Sequence, residues 1–173
     1  MSGAAVPVVR SVAAFYSIAY QIEADAAERY ATLAEQMETH NNLELARMFA
    51  DLARTERVHA DKIRDLAGAV GVDGDGGSIG PWNSESPESA DLYAAGYDMS
   101  AHDAVQMALA AEERALAFYT ELAASKVDQA VRDLAAAFAD EEREHVAICR
   151  RLLTRYRPVP GNRPADPDPP GDR

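Results

Sequence analysis

Two short stretches decide the fold of this chain: residues 56–59, which read Glu-Arg-Val-His, and residues 142–145, which read Glu-Arg-Glu-His. Each is a Glu-x-x-His pair, and three residues span just under one helical turn. Both polar side chains of a pair therefore project from one face of a helix. Each pair lies within an apolar stripe, where an unpaired carboxylate would cost on the order of several kcal/mol. Something must neutralise that charge in both places.

The two stripes are otherwise typical of amphipathic helices, with apolar residues at alternating steps of four and three. The first stripe consists of Leu45, Phe49, Leu52, Glu56, His59, Ile63 and Leu66. The second consists of Val131, Ala135, Phe138, Glu142, His145, Cys149 and Leu152. These patterns predict helices from about Leu43 to Ala67 and from about Gln129 to Tyr156.

Two further stripes contain one glutamate each. One consists of Tyr16, Ala19, Glu23, Ala26, Tyr30, Leu33 and Met37, and the other of Val105, Leu109, Glu112, Leu116, Tyr119 and Ala123. They predict helices from Val9 or Arg10 to Thr39 and from a Ser100–Asp103 capping signal to Ala124. Short polar breaks at 40–42, where Asn can cap the next helix, and at 125–128 predict two antiparallel hairpins. His40 and His102, at a break and at a helix start, are expected to be solvent-exposed.

The second hairpin repeats the first. Glu23 and Tyr30 correspond to Glu112 and Tyr119 at a shift of 89 residues, and the Glu-x-x-His pairs correspond at a shift of 86. Residues 68–99, rich in Gly, Ser and Pro, predict a long crossover along the bundle, within which 88–95 could form a short helix and Trp82 an anchor. The predicted fold is all-α: a four-helix bundle of two pseudo-repeated hairpins over 10–156, with a flexible N-terminus at 1–9 and a disordered Pro-rich tail at 157–173.

The bulk properties narrow the functional class. The formal net charge of −12 argues against nucleic acid as a partner and suits the collection of cations. The single cysteine, Cys149, excludes an intrachain disulfide and a Cys-x-x-Cys metal module. No apolar run reaches membrane-spanning length, and the first residues lack a convincing signal-peptide core, so we predict a cytoplasmic protein with no membrane partner.

The polar residues within the four stripes form a metal-ligand set. Two divalent ions would neutralise the four carboxylates, and oxygen donors with one nitrogen per ion suit iron or manganese, although zinc is also acceptable. The six predicted ligands are Glu23, Glu56, His59, Glu112, Glu142 and His145. Glu113 competes with Glu112, but the stripe and the spacing to Tyr119 favour Glu112.

Four-helix bundles that hold two metals through carboxylates use such a donor set. On that template, Glu56 and Glu142 bridge the ions and Glu23 and Glu112 each bind one. Tyr30 and Tyr119 could donate hydrogen bonds to a bridging carboxylate on a facing helix and tune the centre, although core packing explains them equally well. Cys149 is expected to be structural filler.

With Glu-x6-Tyr and Glu-x-x-His in both halves, residues 10–156 resemble the ferritin-like superfamily and most closely the erythrin domain of rubrerythrins. The resemblance implies a non-haem di-iron centre with two irons per chain, often in a homodimer or larger homo-oligomer. It also implies an oxidoreductase of the oxidative-stress type, which reduces hydrogen peroxide or oxygen while oxidising ferrous iron. Iron storage with ferroxidase activity, as in bacterioferritins, is the alternative.

The chain departs from those families at three points. Rubrerythrins usually carry a four-cysteine rubredoxin module, whereas this sequence has one cysteine, so the resemblance implies a separate electron-donor protein. Ala115 stands where rubrerythrins often have an additional carboxylate, and Arg57 stands where bacterioferritins have a haem-binding Met. No haem is therefore expected.

Overall fold

The computed structural model describes residues 9–71 and 99–158, and all regular structure in these ranges is α-helical. The four helices are α1 (Val12–Thr39), α2 (Leu43–Ala69), α3 (Ala101–Ala124) and α4 (Gln129–Arg155). Helix α1 packs along α2 and α3 packs along α4, and the two hairpins form an all-α four-helix bundle. The predicted fold class is confirmed.

Local signals place the helix starts. Asn42 accepts a hydrogen bond from the backbone N–H of Leu45, and Ser100 and Asp103 form a reciprocal capping box at the start of α3, as the sequence predicts. Helix α1 begins at Val12, later than predicted, because Ser11 accepts a hydrogen bond from the backbone N–H of Ala14 and caps it. The predicted crossover helix, Trp82 and the Pro-rich tail from 159 onward lie outside the described residues.

Two apolar clusters fill the bundle, one on each side of its middle. The first joins the start of α1 and the end of α3, with Phe15 and Tyr119 among its members. The second joins the end of α1 and the start of α2, with Leu33 and Phe49 among its members. The glutamates and histidines of the four stripes lie at the level between them, so apolar packing surrounds the polar cluster from both ends.

Two sequence expectations about single residues are wrong. His40 and His102 are half-buried, and the Nδ1 atom of each lies within hydrogen-bond distance of a backbone carbonyl, at 3.0 Å from Met99 O and 2.8 Å from Tyr156 O respectively. Leu66, assigned to the buried stripe of α2, is 40% exposed because the helix turns its neighbour inward instead. None of the described helices is both long and apolar enough to cross a membrane.

Candidate metal centre

The six predicted ligands come together in the middle of the bundle, one or two from each helix. The side chains of all four glutamates are almost completely buried. The two histidines differ, because the side chain of His145 is 9% exposed and that of His59 is 24% exposed. The cluster therefore lies closer to solvent at His59 than at any other of its members.

The half of the cluster on the first hairpin joins Glu23 of α1 to Glu56 and His59 of α2. His59 Nδ1 lies 3.6 Å from Glu23 Oε2 and 3.6 Å from Glu56 Oε2. The Glu-x-x-His spacing puts Glu56 and His59 on one face of α2, and the antiparallel packing of α1 brings Glu23 to the same height. These three side chains can therefore surround one ion.

The other half is centred on His145. Its Nδ1 atom lies 3.3 Å from Glu56 Oε1, 3.4 Å from Glu112 Oε2 and 3.6 Å from Glu142 Oε2. Glu56 thus approaches a histidine of each hairpin, one with each of its carboxylate oxygens. That position between the two halves is the one a bridging carboxylate needs.

Several buried polar atoms in the cluster have no hydrogen bond to any described residue. They are Glu56 Oε1, His59 Nδ1, Glu142 Oε2 and His145 Nδ1. Buried polar atoms are nearly always hydrogen-bonded, and each exception requires an explanation. Because these atoms face one another, cations bound among them would satisfy all four.

The pKa values of the cluster reflect crowded, buried charge. Burial and the negative charge of Glu56 raise the pKa of Glu23 to about 8, although the contact with His59 opposes this. The carboxylates of Glu23 and Glu56 raise the pKa of His59 to about 10, against the effect of burial. Burial likewise raises the pKa of Glu142 well above its usual range. Without metal, the first hairpin therefore holds protons that a cation would displace.

His145 and Glu112 form a pair in which contacts with neighbouring groups outweigh the effect of burial on both pKa values. Burial lowers the pKa of His145, but its contacts with Glu112 and Glu142 outweigh that effect and raise the value to about 12. Burial raises the pKa of Glu112, but contacts with His145 and Glu142 and the hydrogen bond from Tyr30 outweigh it, so the pKa is lowered. Glu112 is consequently ionised, and the hydrogen bond from Tyr30 helps to fix its orientation.

The donor set fits a pair of divalent ions. Two groups offer ligand atoms that lie within 4.8 Å of one another: Glu56, His59 and His145 form one, and Glu112, Glu142 and His145 form the other. Glu23 joins the first group through its contact with His59. Carboxylate oxygen with imidazole nitrogen, buried and net anionic, is a donor set for iron, manganese or zinc.

Glu112 and its neighbour Glu113 lie in clearly different environments. Glu112 is 1% exposed and lies in the cluster, whereas Glu113 is on the surface, where its Oε1 atom lies 2.8 Å from Arg150 Nη2. The stripe and the spacing to Tyr119 favoured the buried residue. The individual ligand roles stay predictions.

Tyr30 and Tyr119 occupy different environments despite their equivalent sequence positions. The hydroxyl of buried Tyr30 donates a hydrogen bond to Glu112 Oε1, on the facing helix α3. Its acceptor is thus the residue predicted to bind one metal, rather than a bridging carboxylate. Tyr119 is also fully buried and packs against the rings of Phe15, Phe118 and Phe138.

Cys149 lies beside Tyr30, the residue that donates a hydrogen bond to Glu112. Its sulfur lies 4.0 Å from the Tyr30 hydroxyl, and burial raises the pKa of its thiol to about 12. Ala115 is fully buried one turn beyond Glu112, so that position contributes no carboxylate, and Arg57 is exposed. The cluster therefore comprises the six predicted residues, and position 115 adds no further carboxylate.

The hydrophobic pattern did not predict one buried charge, that of Arg29. It is 2% exposed, and its guanidinium carbon lies 5.7 Å from the centre of the Tyr30 ring. Arg29 lies beside the apolar stripe of α1 and outside its spacing, and a long side chain can bury its stem from such a position. Its positive charge acts to lower the pKa of Tyr30, although burial and Glu112 together raise it well above the usual value.

Fold and site define a class: a ferritin-like four-helix bundle with a candidate carboxylate–histidine metal centre. The sequence profile of the rubrerythrin family matches residues 15–80. The crystal structure of an uncharacterized conserved protein from Magnetospirillum magnetotacticum MS-1 aligns over 86% of this chain and 98% of its own, with 33% identity and a TM-score of 0.73. The chain belongs to the rubrerythrin family of ferritin-like proteins. Among curated proteins, none matches the sequence significantly.

Proposed function

We propose that this protein is a non-haem di-iron oxidoreductase that reduces hydrogen peroxide or oxygen while oxidising ferrous iron. The observation that carries the proposal is the cluster of four buried glutamates facing two histidines, with buried donor atoms that have no hydrogen bond. A pair of iron ions supplies two electrons, which is what the reduction of one peroxide to two waters requires, together with two protons. Membership of the rubrerythrin family supports iron as the metal.

The six residues of the cluster would bind the two ions in different ways. Glu56 and Glu142 would bridge the ions, Glu23 and His59 would complete one position, and Glu112 and His145 the other. Glu56 supports this division because its two oxygens approach His59 and His145 separately. The donor count leaves positions open for a small oxidant.

Access and water exclusion follow from the burial pattern. The apolar clusters at both ends of the polar layer keep bulk water out along the bundle axis. His59 is the most exposed member of the cluster, so peroxide or oxygen would arrive on its side. At Glu112, the Tyr30 hydroxyl donates a hydrogen bond to Oε1, which fixes that carboxylate.

Anaerobic titration of the metal-free protein with ferrous iron, followed by stopped-flow mixing with peroxide and separately with oxygen, tests the proposal. We expect two irons per chain and rapid oxidation by at least one oxidant. With excess peroxide, the isolated chain should complete a single oxidation and continue only when a donor such as reduced rubredoxin is added. The Glu113→Gln variant is the matched control, because it alters an exposed neighbour of a proposed ligand. Ferrous protein that neither oxidant oxidises would overturn the proposal.

Iron storage with ferroxidase activity is the alternative, and the net charge of −12 favours it because an acidic surface attracts ferrous ions. The mass of the assembly and its iron capacity separate the two functions. Storage requires a large multimer that takes up many more than two irons per chain. Equal steady-state peroxide consumption with and without a donor would instead indicate dismutation at a manganese centre.

A further inference from the structure

The two halves of the polar cluster are equivalent in the sequence repeat but not in their surroundings. The half on the second hairpin consists of Glu112, Glu142 and His145, and we call it the deep position. The Nδ1 atom of His145 lies 3.3–3.6 Å from carboxylate oxygens of three different helices. The three side chains of the deep position are almost completely buried. An ion held there would have little water beside it to replace a departing ligand.

The orientation of Glu112 is also fixed from outside the cluster. The hydroxyl of Tyr30 donates a hydrogen bond to Glu112 Oε1. The Tyr30 ring is itself held in the core, where it stacks on Phe49 with 5.9 Å between the ring centres and 20° between the planes. Partners of this kind keep a metal ligand in place and strengthen its bond to the ion. The deep position is therefore preorganised.

The half on the first hairpin consists of Glu23, Glu56 and His59, and we call it the outer position. Among the described residues, two carboxylates face the Nδ1 atom of His59, each at 3.6 Å. The His59 side chain is 24% exposed, the largest value in the cluster. No hydrogen bond joins Glu23 to the hydroxyl of Tyr119, the repeat equivalent of Tyr30. The outer position is thus reached by water and is less firmly held.

Glu56 allows the outer position to empty while the deep position stays filled. Its Oε2 atom faces His59 and its Oε1 atom faces His145. If an ion left the outer position, the oxygen on the deep side could keep its bond. The ion in the deep position would then lose none of its ligands.

We propose that the deep position holds a resident ion, whereas the outer position holds an ion that exchanges with solution past His59. The proposal rests on the two-metal centre proposed above, although not on its redox chemistry. For an ion to leave, a ligand must withdraw and water must take its place. Both events are easier at His59, which water reaches, than at Glu112, which Tyr30 fixes. The chain can therefore hold two different metals at once, and ferrous iron from solution enters at the outer position.

Metal exchange in the full chain, with Zn²⁺ and Co²⁺ under argon so that neither ion changes oxidation state, tests the proposal. Protein loaded with two Zn²⁺ per chain is mixed with excess Co²⁺, freed of unbound metal at successive times and analysed for both elements. We expect one Zn²⁺ to be replaced at least roughly tenfold faster than the other, so protein with one ion of each kind accumulates. Replacement of both at a single rate would overturn the proposal, whatever iron-loaded protein does with peroxide or oxygen. Uptake of fewer than two Zn²⁺ would overturn the two-metal centre as well.

Variants assign the fast and slow ions to their positions. His59→Ala should bind one Zn²⁺, which exchanges at the slow rate of the unaltered protein. Tyr30→Phe should keep both ions and release the slow one sooner, because Glu112 is no longer fixed. Tyr156→Phe removes a hydroxyl that has no hydrogen bond to a described residue, so both of its rates should be unchanged. Circular dichroism of each metal-free variant reports its fold. A single fast ion in folded His59→Ala, or an unchanged slow rate in folded Tyr30→Phe, would overturn the proposal.

Discussion

The imidazole rings of His59 and His145 lie nearly parallel, with an angle of 6° between their planes and 5.7 Å between their centres. The two rings come from different hairpins and are bordered by buried carboxylates. Two protonated imidazoles would repel at this distance, so the arrangement depends on the surrounding negative charge. Metal ions would replace that repulsion with bonds to both hairpins. Bound metal is therefore expected to stabilise the contact between the two halves of the bundle.

The two kinds of carboxylate in the cluster should behave differently when removed. We predict that Glu56→Ala and Glu142→Ala each weaken both metal positions, because a bridging ligand is shared. Glu23→Ala or Glu112→Ala should mainly weaken one. Loss of residues that only orient a ligand costs roughly 10- to 100-fold in affinity, and loss of a shared ligand should cost more. Equilibrium dialysis with elemental analysis measures this.

Glu113→Ala is the control for that series, since it removes an adjacent carboxylate that pairs with Arg150 on the surface. It should bind two metals like the unaltered protein. Normal affinity for two metals in Glu56→Ala would show that the bridging assignment is wrong.

The sequence predicted the helices and the polar cluster well because both follow from helical periodicity. Glu112 and Glu113 illustrate this, since a one-residue shift rotates a side chain by about 100° and only Glu112 falls on the stripe. The same reasoning did not predict that Leu66 would be exposed, because a step of three from Ile63 reaches Leu66 whereas a step of four reaches Ala67, and the helix buries Ala67. It also did not predict the difference between His59 and His145, since pseudo-repeated positions need not have equally close neighbours.

For a related reason, helical periodicity could not predict that Arg29 is buried or which residue accepts the hydrogen bond from the Tyr30 hydroxyl. A stripe shows which face of one helix is buried, but not which atoms of the other helices it meets. The Tyr30 hydroxyl reaches Glu112 on α3 because of how the hairpins are placed against each other. That placement is a tertiary property, so a single-helix pattern could not have distinguished Glu112 from a bridging carboxylate.

The stabilisation that metal gives should increase with pH. The pKa values of His59 and Glu23 are raised to about 10 and about 8, so the metal-free folded protein holds protons that the unfolded chain releases. Their stability contribution is full below the unfolded pKa values and is lost as pH rises through the folded ones. Metal ligation requires the deprotonated groups, so affinity should rise about tenfold per pH unit for each displaced proton.

Thermal unfolding with and without Zn²⁺, a redox-inert probe, measures this dependence. The difference in Tm between the two forms should widen from pH 6 to pH 8. The Glu23→Gln variant should show a smaller slope, because it removes one titrating ligand. A difference in Tm that is constant or shrinks over this range would contradict the expectation.

Cys149 should report the opening of the bundle. It is 1% exposed, its pKa is raised to about 12, and it is the single thiol of the chain. The thiolate is the reactive form, so a disulfide reagent should label the folded protein only through unfolding or local opening. Bound metal should slow labelling further because it joins the two hairpins. Rapid labelling of the native protein, equal with and without metal, would show that neither burial nor metal protects the thiol.

The Tyr30→Phe variant tests whether the tyrosine orients Glu112. The substitution keeps the buried ring, which stacks on Phe49, and removes only the hydroxyl that donates to Glu112 Oε1. A hydrogen bond to a charged group contributes about 1.5–3 kcal/mol, so the metal-free protein should lose stability of that order. One of the two metals should bind roughly tenfold more weakly, because the carboxylate loses its fixed orientation.

Tyr156→Phe is the matched control, since Tyr156 is a half-buried residue whose buried hydroxyl forms no hydrogen bond with a described residue. Denaturant unfolding and metal titration of both variants provide the comparison, and the Tyr156 variant should match the unaltered protein in each. If the hydroxyl of Tyr30 contributes only packing, both variants will give the same unfolding free energy and the same two affinities. A loss confined to Tyr30→Phe, and to one metal, would connect this tyrosine to the Glu112 half of the centre.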